Sequence, residues 1–462
     1  MRLPFDLIAA AICMGVIIQS TKFCNLLTGN AVPMFLAWLG FLLVVWLLNE
    51  WVTRKTEWRT RFGHRLLVQS GKLHPIEIHG WSICAVQAVS VALYAWILWC
   101  FQWPLYVRAW PVWLGLPTDY QLGGLPLNQS SLIELLFNLT PFLMAMLISW
   151  LPRQRFIAEI RGRRISFISF LGYEARLSWV PLILWLVSSL VEDLGHILKV
   201  PDSTWLKEPG IEFLMMLCLS VFTAVVALPN LVIWLWNCKP LNEGTLHNRL
   251  RELTLRSGVK VRGILVWGPS GTGLLNACVL GPWARFRYIL ISPQLVKELN
   301  LEETEAVMAH ELGHVRYGHL TLLLLMMLFL FAILDPLSKL LPDDWRSTPW
   351  IETSVMAGFI VIYMWGFLGN IMRQCEREAD LASAELLGTP EPLIASLEKL
   401  ALIGGNIRNV YSWHHGSIAQ RVAAVREMSH DPKKISRFHA HLRRVRIVFA
   451  LISALALGSQ FI

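Results

Sequence analysis

The sequence predicts a mainly α fold: a polytopic helical membrane protein that carries a cytoplasmic α+β domain. Composition is the first observation behind this: of 462 residues, 55% are hydrophobic and only 16% are charged, where soluble domains average about 25% charged. The second is how the apolar residues are distributed. Phe23 to Leu48, Gly80 to Val107, Phe213 to Cys238 and Thr353 to Met372 contain no Lys, Arg, Asp or Glu, and about 20 helical residues cross a hydrocarbon core. The third is where the basic residues fall.

Nine candidate spans follow, at 5–20, 31–49, 81–103, 131–151, 177–192, 211–236, 319–335, 351–371 and 447–462. The first has the basic start and apolar stretch of a signal peptide. It lacks a small-x-small cleavage site before Lys22 and is read as an uncleaved helix. With the N-terminus inside, segments 1–4, 52–80, 152–176, 238–318 and 372–446 hold 35 of the 41 Lys and Arg residues, and the outside loops hold six. That is the positive-inside bias. It explains the net charge of +9 as topology, so the expected partner is the lipid bilayer, and no nucleic acid. Trp38, Trp46, Trp51, Trp81, Trp103, Trp110, Trp150, Trp179, Trp236 and Trp350 fall near span ends, as interfacial belts favour. The eight cysteines are scattered with no CxxC pair, which argues against a disulfide framework or a thiolate metal site.

The expected organisation is a membrane domain over 1–237 with about six spans and a cytoplasmic domain in two parts, 238–318 and 372–446. A transmembrane hairpin at 319–371 separates those parts, and a short apolar segment closes the chain at 447–462. In the first cytoplasmic part, 241–257 reads as a helix and 259–267, 274–280 and 286–292 as strands. Gly268, Pro269, Gly271, Gly273, Gly281 and Pro282 supply the turns between them. The run from Gly268 to Gly273 lacks the Lys-Ser/Thr ending of a phosphate loop and is read as a hairpin turn. A helix is expected from Asn300, with Glu303 completing a capping box, running on toward the membrane. Arg161, Arg163 and Arg164 are read as topological charge, and Glu134, Asp193 and Glu352 lie at span ends, where charge costs little.

That helix carries His310-Glu311-Leu312-Gly313-His314. Residues four apart share a helical face, so both imidazoles can reach one metal. Glu311, about 100° round, can touch a water on that metal without binding the metal itself. A catalytic zinc site takes three protein ligands and an open position. His319 is the nearest extra candidate, but on a continuous helix it points about 140° away from His314. It is read as an interfacial polar residue. The better candidate lies in Arg373-Gln374-Cys375-Glu376-Arg377-Glu378-Ala379-Asp380. Glu376 and Asp380 are one turn apart, so Glu376 can complete a two-His, one-Glu set while Asp380 accepts the N–H of a ligand histidine. Glu378 is expected to point elsewhere and be solvated. The competing reading is a charged juxtamembrane helix with ordinary i,i+4 pairs.

The order HExxH, two apolar spans, then Arg-x-x-Glu-x-x-x-Asp resembles the integral-membrane zinc peptidases of the HtpX and CAAX prenyl endopeptidase type, over roughly residues 240–430. Asn276 and Ala277 resemble the strand that pairs with extended substrate in that family. His415-Gly416-Ser417-Ile418-Ala419-Gln420-Arg421-Val422 is similar to its His-Pro-x-x-x-x-Arg-Ile element, with Gly416 in place of Pro. The resemblance implies one Zn²⁺ per chain on His310, His314 and Glu376, and Glu311 as general base. It implies that Asp380 orients a ligand, that His415 or Arg421 stabilises an oxyanion, and that the substrate is a polypeptide. The six preceding spans exceed those of the HtpX type.

The expected activity is therefore metalloendopeptidase cleavage at a bacterial inner membrane, in membrane-protein quality control. The alternatives are a processing peptidase for a lipidated or otherwise defined target, and a receptor or scaffold with an inert zinc site. Oligomeric state is not legible in the residues.

Overall fold

In the computed structural model the described residues are 31–63, 86–95, 121–122, 125–126, 130–160, 166–168, 170–171, 186–187, 189–191, 193–194, 197, 218–219, 221–267, 275–429 and 431–458. The expected span at 5–20, the turn at Gly268–Gly273 and the Arg161–Arg164 cluster lie outside them, and the span at 177–192 is described only in part. The chain divides into two compact units, one of residues 1–159, 164–220 and 347–353, the other of 160–163, 221–346 and 354–462.

In the first unit, α1 (Ala31–Gly63), α2 (Val86–Ala95) and α3 (Ser131–Ile160) pack around Phe41, Val45, Tyr94, Leu139, Phe142 and Trp150, and β1 (Gln121–Leu122) pairs antiparallel with β2 (Leu125–Pro126). Tyr94 donates its hydroxyl to the Asn138 carbonyl at 2.7 Å, so this deep phenol is paired. Asp193, read as a charge at a span end, is buried. It accepts from Ser130 Oγ at 2.6 Å and from the Ser131 and Leu132 N–H groups at 2.7 and 3.3 Å. Its charge neutralises the unpaired donors and positive dipole end at the start of α3.

The second unit begins with a π-helical turn (Thr223–Ala227) leading into α4 (Leu228–Leu235). A four-stranded sheet follows, from β3 (Lys239–Pro240), β4 (Gly263–Val266), β5 (Ala277–Leu280) and β6 (Tyr288–Ile291), in the order β3-β4-β6-β5. β4 runs parallel to β6, and β5 runs antiparallel to it with Ala277 opposite Ile291. The strands are shorter than the sequence predicts, and β3 was not anticipated. α5 (Thr245–Arg256) falls within the expected helix at 241–257. After β6 come α6 (Pro293–Glu298) and α7 (Leu301–Arg316). The α7 capping box forms: Asn300 Oδ1 accepts from the Glu303 N–H at 2.8 Å, and Glu303 Oε2 accepts from the Asn300 N–H at 2.8 Å. Leu250, Leu253, Ile289, Ile291, Met308 and Leu312 form the core joining sheet and helices.

α7 does not continue into the membrane. Gly318 adopts φ +67°, a left-handed conformation that glycine takes without Cβ strain, and a new helix, α8 (His319–Lys339), starts there. α9 (Asp343–Arg346) and α10 (Pro349–Ile362) follow. A π-helical turn at Tyr363–Leu368 then joins α10 to α11 (Gly369–Leu387), so the expected span at 351–371 runs on without a break. α12 (Glu391–Ile403), α13 (Ile418–Met428) and α14 (Pro432–Gly458) complete the unit. The apolar segment expected at 447–462 is the end of α14. There Phe449 packs with Leu322, Met326 and Leu330 of α8.

Among the described residues, four helices are long and apolar enough to cross a membrane: Leu36–Arg54, Ser131–Arg155, His319–Lys339 and Ser354–Leu387. Two shorter apolar helices, Val86–Ala95 and Val225–Leu235, fall within the spans expected at 81–103 and 211–236. The chain is thus a multi-pass helical membrane protein with an α+β domain.

Candidate metal centre

α7 carries His310, Glu311 and His314, and α11 carries Glu376 and Asp380. The two helices meet closely because Gly313 has no side chain. A Cβ there would stand 2.9 Å from Ala382 Cβ and 3.0 Å from Ala379 Cα. The buried Ser383 hydroxyl donates to the Ala306 carbonyl at 2.9 Å and fixes the same contact.

This packing brings three donors together. His310 Nε2 and His314 Nε2 are 3.1 Å apart, and they lie 3.6 and 3.5 Å from Glu376 Oε2 and Oε1 respectively. Donors about 2.0–2.1 Å from one tetrahedral ion stand about 3.3–3.4 Å from each other. The separations are near that figure, with each imidazole facing a different Glu376 oxygen, so the residues present fit a divalent metal held by two imidazoles and a carboxylate. Glu376 is buried, and its Oε2 makes no hydrogen bond of good geometry, although Arg421 Nη1 is 3.2 Å away. A buried carboxylate oxygen short of hydrogen bonds calls for a further partner, and a metal supplies one.

The outer nitrogens of both imidazoles are engaged. His310 Nδ1 lies 2.9 Å from Asp380 Oδ1, which is fully buried. Arg421 donates to both Asp380 oxygens at 2.6 and 2.9 Å. Arg421, expected near an oxyanion, is therefore bonded to Asp380 and close to Glu376. His415 Nδ1 is 2.9 Å from Glu376 Oε1, and this side chain is 44% exposed. It sits within a tight loop closed by the Ser412–Gly416 bridge, in which Gly416 takes φ +73°.

Two expectations need correction. His319 is buried and not turned away: the left-handed Gly318 swings it back, and its Nδ1 lies 2.8 Å from His314 Nδ1. Glu378 is not solvated. It is fully buried, with His319 Nε2 and His439 Nδ1 each at 2.8 Å and Arg446 Nη1 and Nη2 each at 3.1 Å. Sequence reasoning missed His439 and Arg446 entirely; both come from α14, and no motif marks them.

Burial pushes the Glu311 carboxyl up to about 7. The Glu376 charge adds to this, while His310, Arg421 and a backbone bond from Val279 oppose it. Burial would lower His310, but the Asp380 carboxylate outweighs it and raises the ring above its ordinary value. Burial holds His314 well below the usual imidazole range, so it is neutral and free to donate a lone pair. Burial opposes the Arg421 charge too, but Asp380 and Glu376 raise it.

β5 is the last strand in the sheet order. The Ser292 N–H bonds the Asn276 carbonyl at 2.9 Å, which makes 276, 278 and 280 the residues bonded to β6. The backbone groups of Ala277 and Val279 therefore face the open edge. The bond from Val279 to Glu311 puts that edge beside the three donors.

Comparison with known proteins agrees with this geometry. Residues 240–429 match the family model described as Peptidase family M48. A "Protease HtpX homolog" of Chlorobium limicola is 25% identical over 223 residues, covering 41% of this chain and 75% of the relative. Another, of Janthinobacterium sp., is 23% identical over 268 residues, covering 48% of this chain and 90% of the relative. Among solved structures, the crystal structure of S. mikatae Ste24p shares the fold with a TM-score of 0.52 and 16% identity, covering 85% of this chain and 98% of that one. Residues 240–429 are therefore a peptidase family M48 domain, carried by a membrane chain with HtpX-like relatives and a Ste24p-like fold.

Proposed function

We propose that the chain is a zinc-dependent endopeptidase that cleaves polypeptides at a bacterial inner membrane, on the cytoplasmic side, in quality control of membrane proteins. The observation that carries this reading is the convergence of His310, His314 and Glu376 at separations of 3.1, 3.5 and 3.6 Å, with Glu311 beside them on the same helix as the two histidines and outside the donor set. When bound there, zinc supplies Lewis acidity, acidifying a water and polarising the scissile carbonyl.

The chain's own residues do the rest. Glu311 takes a proton from the attacking water and returns it to the leaving amine. Burial holds its carboxyl at about 7, so it can both take up and release a proton near neutral pH. Asp380 holds the His310 Nδ1–H, so Nε2 presents a lone pair to the metal position. Arg421 keeps Asp380 and Glu376 ionised and aligned. His415 is close enough to the site to donate to a developing oxyanion. Asn276 and Ala277 lead into the open edge of β5, where an extended substrate can add as a further strand through the Ala277 and Val279 backbone groups. The positive-inside count supports the cytoplasmic assignment, and the bacterial relatives support the inner membrane.

Glu311→Gln tests the mechanism. It removes the base but none of the three ligands, so the variant should keep its zinc and lose about 10²–10⁴-fold in cleavage rate of a casein-like substrate. Cleavage at the wild-type rate would contradict the mechanism.

A further inference from the structure

The second ring nitrogen of His314 opens onto a buried polar cluster that the chemistry above does not use. His314 Nδ1 meets His319 Nδ1 at 2.8 Å, and His319 Nε2 meets Glu378 Oε2 at 2.8 Å. The protons in this chain have one arrangement compatible with metal binding. Glu378 is ionised between Arg446 and two imidazoles and acts only as an acceptor, so His319 must donate from Nε2. A neutral His319 then offers Nδ1 as an acceptor, and His314 donates to it from its own Nδ1. That leaves His314 Nε2 without a proton, facing His310 and Glu376. If His319 carried both protons, His314 would have to accept at Nδ1 and hold its proton at Nε2, where the metal belongs.

His310 receives the same constraint directly from Asp380; His314 receives it through one additional imidazole. The carboxylate at the end of that relay is held from α14. His439 and Arg446, seven residues apart and so two turns along one face, both bond Glu378. Arg446 also donates to the Tyr317 carbonyl, just past the end of α7. The Tyr317 ring stacks on His439 with centroids 4.5 Å apart at 15°.

We infer that His319 and Glu378 are positioning residues for the metal ligand His314, and that α14 holds them in place through His439 and Arg446. The C-terminal helix is thus part of the support of the metal centre. This rests on the metal reading of His310, His314 and Glu376.

The test is zinc affinity of the full chain in detergent, measured by competition with a chromophoric chelator, together with the visible spectrum of the cobalt-substituted protein. His319→Gln is the key variant: its amide N–H falls near the former Nε2 position and keeps Glu378 partnered, but it places no acceptor at the former Nδ1 position that His314 meets. It should retain the wild-type helical content, bind zinc about 10–100-fold more weakly and shift the cobalt spectrum. Glu378→Gln should do the same, and Arg446→Gln should weaken zinc severalfold. If Glu378→Gln fails to fold, His319→Gln decides alone. His319→Gln with wild-type affinity and an unchanged spectrum would overturn the relay, and unchanged affinity in Arg446→Gln would overturn the role of α14. Wild-type protein that binds no zinc would instead overturn the underlying metal reading.

Discussion

Glu376 and Glu378 differ by two positions and by almost everything else. Both are buried carboxylates on α11, but about 200° of helical rotation separates them. Glu376 faces the imidazoles of α7, and Glu378 faces α14. The pairing of Glu376 with Asp380 was legible in the sequence because it needs only the i,i+4 rule. The burial of Glu378 was not, because its partners His439 and Arg446 lie 61 and 68 residues further on and follow no pattern. His319 was misplaced for a different reason: one left-handed residue, Gly318, invalidates an angle counted along a continuous helix. Asp380→Asn should separate the two kinds of effect. It keeps the shape of the side chain but weakens the acceptor for His310 and leaves Arg421 facing a neutral group. Zinc affinity should fall about 10–100-fold with the fold retained, as read by chelator competition and circular dichroism; unchanged affinity would show that Asp380 has no hold on His310.

At the scale of elements, the contact between α7 and α11 decides whether the donors meet. Gly313→Val must push against Ala379 backbone as well as Ala382, and overpacking of this kind costs about 1–3 kcal/mol. The variant should unfold at lower temperature and lose zinc, whereas Asn300→Ala, which removes only the α7 cap, should cost about 1 kcal/mol and keep zinc. Thermal unfolding and metal analysis of the two variants check this contrast. The junction of α14 with α11 predicts a pH dependence. Burial would lower His439, but its bonds to Glu378 and Glu385 outweigh it and raise the ring to about 9. The folded state therefore gains from His439 protonation. That gain is complete below the unfolded value of about 6.5 and is lost as pH rises through about 9. The midpoint of unfolding should fall between pH 7 and pH 9.5, and by less in His439→Gln. Equal slopes would show that the ion pair is unimportant. The capping box at Asn300 and the two helical spans flanking the site could be read from local pattern. The unbroken run of α10 into α11 could not, because the charged residues after Met372 suggested a boundary where the helix simply leaves the apolar region.

On the scale of the whole molecule, composition and charge placement were enough to give a multi-pass helical protein, since both follow from the cost of exposing polar groups to hydrocarbon. The site needed more. Its ligands come from two helices separated by a hairpin of two spans, so that the α+β domain is completed only when both parts return to the same side. An impermeant thiol reagent should label Arg251→Cys and Lys433→Cys only from the cytoplasmic face; labelling from the other face would invert the orientation. The claim on which the whole account depends is that Glu376 shares one ion with His310 and His314. Zinc per chain, measured by mass spectrometry on purified wild type and Glu376→Ala, addresses it most directly. The account predicts about one zinc in the wild type and a near-complete loss in the variant, and a variant that retains the full wild-type complement would contradict it.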